Sequence, residues 1–362
     1  MKVLIVNTVP TEKNGITNVI YNYYRAINKQ DLYIDLVTIN TPEIGYKNEF
    51  LQNGGHIYTL ERDLRCPLCY IKKLTELARG YDILHAHGNS ATMVLEMYAA
   101  RKAGVPVRIA HSHNSSCKYR IVDKLCRIPF YIFCNARLAC SSEAGCWLFR
   151  KKSFVILNNG INANEFRFEE TKRLIVRKKI GWEECKIIGH VGNFLKAKNH
   201  VFIIDIFQQL FLKDSTFRLL LLGKGEEMDE IKEKVVKMKL ADKVCFVGAT
   251  DFVTDYLCAM DIVVMPSLHE GLPLTLIEEQ ANGLPCIVSD VITREADKTG
   301  LLDFYSLQAP ALSWANRICK LLLLKEERNS RSLRAIESIQ KSGFDICDQA
   351  NKLKQFYQSQ LN

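Results

Sequence analysis

The chain has 362 residues, 48% hydrophobic and 25% charged, a globular composition whose length favours two domains with a sizeable core in each. Its net charge of +9 lies in patches whose default is a solvated face, and no stacking platform or recognised module accompanies them, which sets nucleic-acid binding aside. The opening MKVLIVNTVP has no signal-peptide core, no run approaches eighteen apolar residues and the thirteen cysteines are scattered, so the expected setting is the cytoplasm.

Apolar, β-rich runs alternate with stretches of helical period throughout, the pattern of parallel sheets covered on both faces. KVLIV is the first strand, and Asn14 and Gly15 precede the helix after it. The spacing is not GxGxxG and no acid follows at the NAD-ribose distance, so Gly15 is either a turn glycine or a point where backbone approaches a bound group. YIDLVTI and HIYTL follow as strands, and then Cys66 and Cys69, the one CxxC, with no second pair to complete a tetrahedral site.

DILHAHG carries His85 and His87, and VRIAHSHN carries His111 and His113. We expect the two members of each pair on opposite sides of their strand, one structural and one able to bind substrate or carry a proton. Nothing nearby in the chain supplies the converging ligands of a metal site. CKYRIVDKLCRIPFYIFC, 117–134, interleaves Lys118, Arg120, Lys124 and Arg127 with apolar residues, which suits an anionic bilayer or a core helix with a solvated edge. ARLACS and FVILN complete this half, and NNGINANEF, 158–166, is a seam before a basic amphipathic helix.

The second half repeats the alternation with KIIGHVG, FRLLLLG, VCFVG, IVVMP and CIVSD. GHVGNFLKAKNH presents Gly192, Asn193, Lys198 and a helix start together, a place for phosphate although not a P-loop, and Gly223 and Lys224 repeat the theme after the next strand. IVVMPSLHEG leads to Glu270, then to the turn Gly271, Leu272 and Pro273 and a helix that Gly283 stops. Backbone N–H groups at Leu274 and Thr275 form an anion site, and Glu278 lies about two turns on. Two acids flanking an anion site suit a nucleotide-sugar, which has hydroxyls on both sides of a diphosphate. Two helical patterns close the chain, and the last, FDICDQANKLKQFYQSQ, has no strand after it.

In these motifs the chain resembles the family 4 glycosyltransferases of the GT-B fold, a retaining class whose signature Glu-x7-Glu is here Glu270 to Glu278. The resemblance runs along nearly the whole chain. NGITNVIYNYYRAI, DILHAHG, RIAHSHN, ACSSEAGCWLF, VILNNGI, IGHVGNFLKAKNH, the stretch 259–290 and TREADKTG follow in the order of the bacterial surface-polysaccharide branch. It implies an α/β fold of two Rossmann-like domains facing a cleft: an acceptor domain at 1–162, a nucleotide-sugar donor domain at 163–343, and a helix at 344–362 packing back on the first. It further implies retaining transfer of a hexose or N-acetylhexosamine, from a UDP-sugar by preference, to a lipid-linked or oligosaccharide acceptor. No cofactor or divalent metal is needed, in keeping with the lack of Asp-x-Asp, and the setting is the cytoplasm or the inner face of the plasma membrane.

Carried over residue by residue, the resemblance implies a catalytic set of Glu270, His113 and Lys198. Glu270 would bind the donor sugar, Lys198 the diphosphate and Glu278 the ribose. Backbone at Gly15, Leu274 and Thr275 would approach the phosphates, and His113 would line the catalytic centre. Asn193 stands where relatives usually carry Arg, and Thr250 and Phe252 where Arg and Asp are usual, so Lys224 is expected to supply part of the missing charge. These departures keep open a second reading, a non-catalytic GT-B subunit that partners an active transferase.

Overall fold

Two parallel sheets organise the chain, which divides into one unit of Met1–Gly160 with Ile346–Asn362 and another of Ile161–Asp345. The computed structural model describes every residue except Lys13, Glu43, Lys118, Leu324, Lys325, Asn362 and the side chain of Tyr46.

The first unit holds a seven-stranded sheet of β1 (Lys2–Asn7), β2 (Tyr33–Thr38), β3 (Ile57–Thr59), β4 (Ile83–Gly88), β5 (Val107–Ser112), β6 (Ala136–Ala139) and β7 (Val155–Ile156). Their order is β3-β2-β1-β4-β5-β6-β7, so the chain reverses direction of growth between β1 and β4. Leu4, Val6, Leu84, Ala86 and Ala110 are fully buried in its core, as strands covered on both faces require. Helix α1 (Gly15–Ala26) follows β1 and is capped by Asn14, whose side chain accepts from the Thr17 N–H at 3.0 Å.

Helix α2 (Arg120–Phe133) buries only Asp123 and Phe130 and leaves Ile121, Leu125, Ile128 and Ile132 largely exposed. Arg127 departs from the expected basic surface: its guanidinium pairs with buried Asp123 at 2.7 Å and donates to the carbonyls of Trp147 and Leu148. Desolvated carboxylates need such a partner, and Asp123 in turn accepts from the Ala91 N–H at 2.8 Å. Lys118 lies outside the described residues.

The second unit holds β8 (Lys186–Val191), β9 (Phe217–Leu222), β10 (Val244–Gly248), β11 (Ile262–Met265), β12 (Cys286–Ser289) and β13 (Leu302–Tyr305), in the order β10-β9-β8-β11-β12-β13. Here the direction reverses between β8 and β11. β13 was not among the expected strands, because its half-buried LDFY carries an edge acid, Asp303, which binds Arg317 at 2.6 Å. Helix α3 (Glu170–Ile180) corrects another patch: Arg173 and Arg177 reach Asp261 at 2.6 and 2.7 Å rather than facing water. Helices α4 (His200–Lys213), α5 (Leu274–Ala281) and α6 (Arg328–Ile339) complete the layers that matter for the site. The last helix, α7 (Ile346–Leu361), belongs to the first unit, where Tyr357 is fully buried and Lys354 donates to the Gln30 carbonyl at 3.0 Å.

Candidate active site

Ligands of open α/β sheets bind beyond the carboxyl ends of strands where the order reverses. In the second unit this point is the end of β8 and β11. After β8 come Gly192 and exposed Asn193, then a short turn, Lys196–Lys198, and α4. Asn199 joins the turn to α4 with φ +59°, a left-handed conformation that asparagine tolerates better than most residues. Its side chain donates to the Pro266 carbonyl at 3.1 Å, and the Leu268 N–H donates to the Ala197 carbonyl at 2.7 Å. These bonds tie the loop after β8 to the loop after β11. They bring Lys198 Nζ to 2.6 Å from Glu270 Oε1, with side chains only 18% and 13% exposed.

Gly192 and Gly223 are glycines for a steric reason. A Cβ on Gly223, which has φ +135°, would fall 2.0 Å from the Gly192 carbonyl oxygen, and one on Gly192 would fall 2.9 Å from His190 Nε2. The two strand ends therefore meet backbone to backbone, with Lys224 exposed beside them.

Beyond Glu270, Gly271 is exposed while Leu272 and Leu274 pack against Ile277 and Ile336, which anchors the turn. Pro273 is the N-cap of α5, so the N–H groups of Leu274 and Thr275 are among those with no intrahelical partner. The Thr275 hydroxyl is buried and likewise unpartnered among the described residues. Glu278 follows on α5, and burial pushes its carboxyl up to about 7. Sequence reasoning passed over its neighbour Glu279, which is fully buried and whose carboxyl is raised further by burial and by Glu278. The signal was the adjacent acid pair inside the apolar run LIEEQA.

In the first unit, the reversal lies at the ends of β1 and β4. Gly15 opens α1 just after β1 with open space where a Cβ would sit. The four histidines correct the sequence reading. Residues two apart on a strand share a face, so neither pair is split, and His87 stands opposite His111 in register. Ring centroids are 4.2 Å apart for His85–His87 and for His111–His113. His87 Nδ1 lies 2.9 Å from His113 Nε2, and His85 Nε2 lies 3.3 Å from His111 Nδ1. Burial holds all four neutral, lowering His113 to about 3 and the others well below the usual imidazole range.

One nitrogen from each of His85, His87 and His111 lies within 4.8 Å of the others, closer than the sequence suggested. Yet His85 Nε2 and His111 Nδ1 face one another across nearly parallel rings, 10° apart, a geometry that shares one N–H instead of aiming lone pairs at a common point. Cys66 and Cys69 are exposed, with sulfurs 3.6 Å apart, at the start of the helix Pro67–Leu77.

Residues 185–323 match the family described as Glycosyl transferases group 1. EpsF of Bacillus subtilis (strain 168) is 33% identical over 331 residues, covering 85% of this chain and 84% of EpsF. The UDP-Gal:alpha-D-GlcNAc-diphosphoundecaprenol alpha-1,3-galactosyltransferase of Escherichia coli is 30% identical over 250 residues, 64% of this chain and 63% of that protein. HepE of Anabaena, solved in complex with UDP, has a TM-score of 0.81 at 15% identity over 99% of this chain and 100% of that one. Two Rossmann-like halves, each a parallel sheet between helices, define the GT-B fold class. The chain belongs to the group 1 glycosyltransferases.

Proposed function

We propose that the chain is a retaining, family 4 glycosyltransferase that moves a hexose or N-acetylhexosamine from a UDP-sugar to a lipid-linked or oligosaccharide acceptor in surface-polysaccharide assembly. The observation that carries this reading is the Lys198–Glu270 pair, 2.6 Å apart, beside the open N-terminus of α5, with Glu278 farther along the same helix. The second unit then takes the donor. Lys198 and the α5 N–H groups hold the diphosphate, Glu270 accepts from sugar hydroxyls and Glu278 from the ribose.

As the glycosidic bond to the diphosphate breaks, negative charge grows on the leaving group and positive charge on the sugar. A preorganised ammonium and helix terminus stabilise that leaving group where it forms, and no divalent metal is needed. Lys198 turns from Glu270 to phosphate when donor arrives, which releases the carboxylate for the sugar. Glu270 acts by position, without forming a covalent bond. In the first unit, Gly15 leaves room for the phosphates and His113 lines the catalytic centre.

The UDP-Gal donor of the Escherichia coli relative and the UDP bound to HepE support uracil as the base. The acceptor reading draws on α2. Ile121, Leu125, Ile128 and Ile132 recur at helical spacing and are 76%, 75%, 74% and 60% exposed, with exposed Arg120 and Lys124 on the same helix. An apolar stripe bearing cations suits an anionic membrane surface that presents a lipid-linked sugar.

Thermal-shift measurements with UDP, GDP, ADP, TDP and CMP, with and without magnesium, test the donor reading. A ligand bound only by the folded protein raises its apparent stability. Stabilisation by UDP without magnesium is expected, followed by transfer from UDP-sugars with the donor's anomeric configuration kept. No response to any nucleotide at millimolar concentration would replace this reading with the non-catalytic partner subunit.

A further inference from the structure

Helix α7 sends one side chain into the histidine layer. Tyr357 is fully buried and its hydroxyl lies 2.7 Å from His85 Nδ1, the one partner described for it. Burial keeps the phenol protonated, and with no other acceptor for that proton among the described residues the hydroxyl, which could also accept, donates it to Nδ1. A neutral imidazole carries one N–H. On His85 that proton therefore sits on Nε2, facing His111 Nδ1 at 3.3 Å. His111 then accepts at Nδ1 and carries its own proton on Nε2, a buried atom with no partner among the described residues.

The direction of the chain is set by the tyrosine. Without the hydroxyl, the His85–His111 pair could be protonated either way round, and in the reverse sense His111 Nε2 becomes an acceptor. A buried donor without an acceptor is a cost that folds avoid unless the orientation serves another purpose. The His111 ring packs against His113 at 4.2 Å, and His113 is the histidine assigned to the catalytic centre.

We propose that Tyr357 is a positioning residue for glycosyl transfer: through His85 it fixes which nitrogen of His111, the ring packed against His113, carries the proton. The C-terminal helix is thereby part of the catalytic apparatus of the first unit. This inference rests on the reading of His113 given above.

Tyr357→Phe keeps the ring and removes only the hydroxyl. In protein with 15N-labelled histidine, the wild type should show His85 and His111 each protonated on Nε2 alone, and Tyr357→Phe should show both tautomers. With UDP-glucose hydrolysis as the assay, kcat should fall about tenfold or more, as expected when an orienting partner of a histidine is lost, while UDP affinity is unchanged. Unchanged tautomers or unchanged kcat would overturn the proposal.

Lys354→Ala removes a different tether of α7, the 3.0 Å bond to the Gln30 carbonyl, and should leave tautomers and kcat as in wild type. The same loss in that variant would assign the effect to helix docking and overturn the proposal too. His113→Ala separates the two readings. An inactive His113→Ala beside a fully active Tyr357→Phe refutes the positioning role alone, whereas a fully active His113→Ala refutes the catalytic reading on which it stands.

Discussion

Two sets of strand ends, one in each unit, handle ionisable side chains in opposite ways. At the ends of β8 and β11 an ammonium and a carboxylate meet at 2.6 Å beside an open helix terminus. At the ends of β4 and β5 four imidazoles gather with burial holding each of them neutral. The first arrangement can meet a charged leaving group, since its ion pair can exchange one partner for phosphate. The second can only donate and accept hydrogen bonds, and a bound charge there would face uncompensated desolvation. The difference teaches that the same kind of strand end can carry a paired charge in one unit and a neutral hydrogen-bonded layer in the other.

The most severe way to probe this division is Glu270→Ala. Transfer should fall by about 10²–10³-fold, the scale for losing one preorganised polar group, while UDP affinity stays within a few-fold. Normal turnover, measured by UDP release, would break the assignment. Lys198→Ala should instead act on binding: loss of a charge-assisted phosphate contact corresponds to roughly ten- to a hundred-fold in Kd for UDP by calorimetry. An unchanged Kd would move the diphosphate elsewhere.

Changing pH should separate β4 and β5 from α5 by sign. His113 falls from 6.5 to about 3 on folding, so its contribution is present above pH 6.5 and is lost as the pH drops toward 3. Glu278 rises from 4.5 to about 7, so its contribution is present below pH 4.5 and is lost as the pH climbs through 7. Hydrogen exchange on the intact chain should show β4 and β5 loosening toward acid and α5 loosening toward neutral pH. The same sign in β4, β5 and α5 would erase the contrast. UDP affinity should also weaken below about pH 7, where Glu278 takes up the proton that prevents it from accepting two ribose hydroxyls.

The smallest effect is expected at Lys224, exposed beside Gly223. Lys224→Ala should weaken UDP binding by less than about ten-fold, as a partial substitute for the guanidinium that Asn193 does not provide. No change in Kd would leave that substitution without a compensating cation.

Several elements were legible because they are written in local pattern. Hydrophobic alternation marked twelve of the strands, while β13 escaped because its polar edge residues break the apolar run. Glu270, Pro273 and the start of α5 followed from a turn and a helix signal within a dozen residues. Arg127 reads in the sequence as one of a group of surface cations because its partner, Asp123, is visible as a partner only when both are buried. The histidine pairs were assigned to opposite faces although the strand period itself puts them together.

By itself the sequence determined the alternation of strand and helix, the glycines at the strand ends, and the order of acids, turn and lysine along the second half. These depend on dihedral preference and hydrophobic period, which act over a few residues. Only the tertiary structure decided which of those groups touch and which are charged. Lys198 and Glu270 are 72 positions apart, and Tyr357 and His85 are 272 apart, so their contacts exist only once the sheets close over them. Charge state depends on desolvation by the whole surrounding unit, a property that no stretch of chain carries alone.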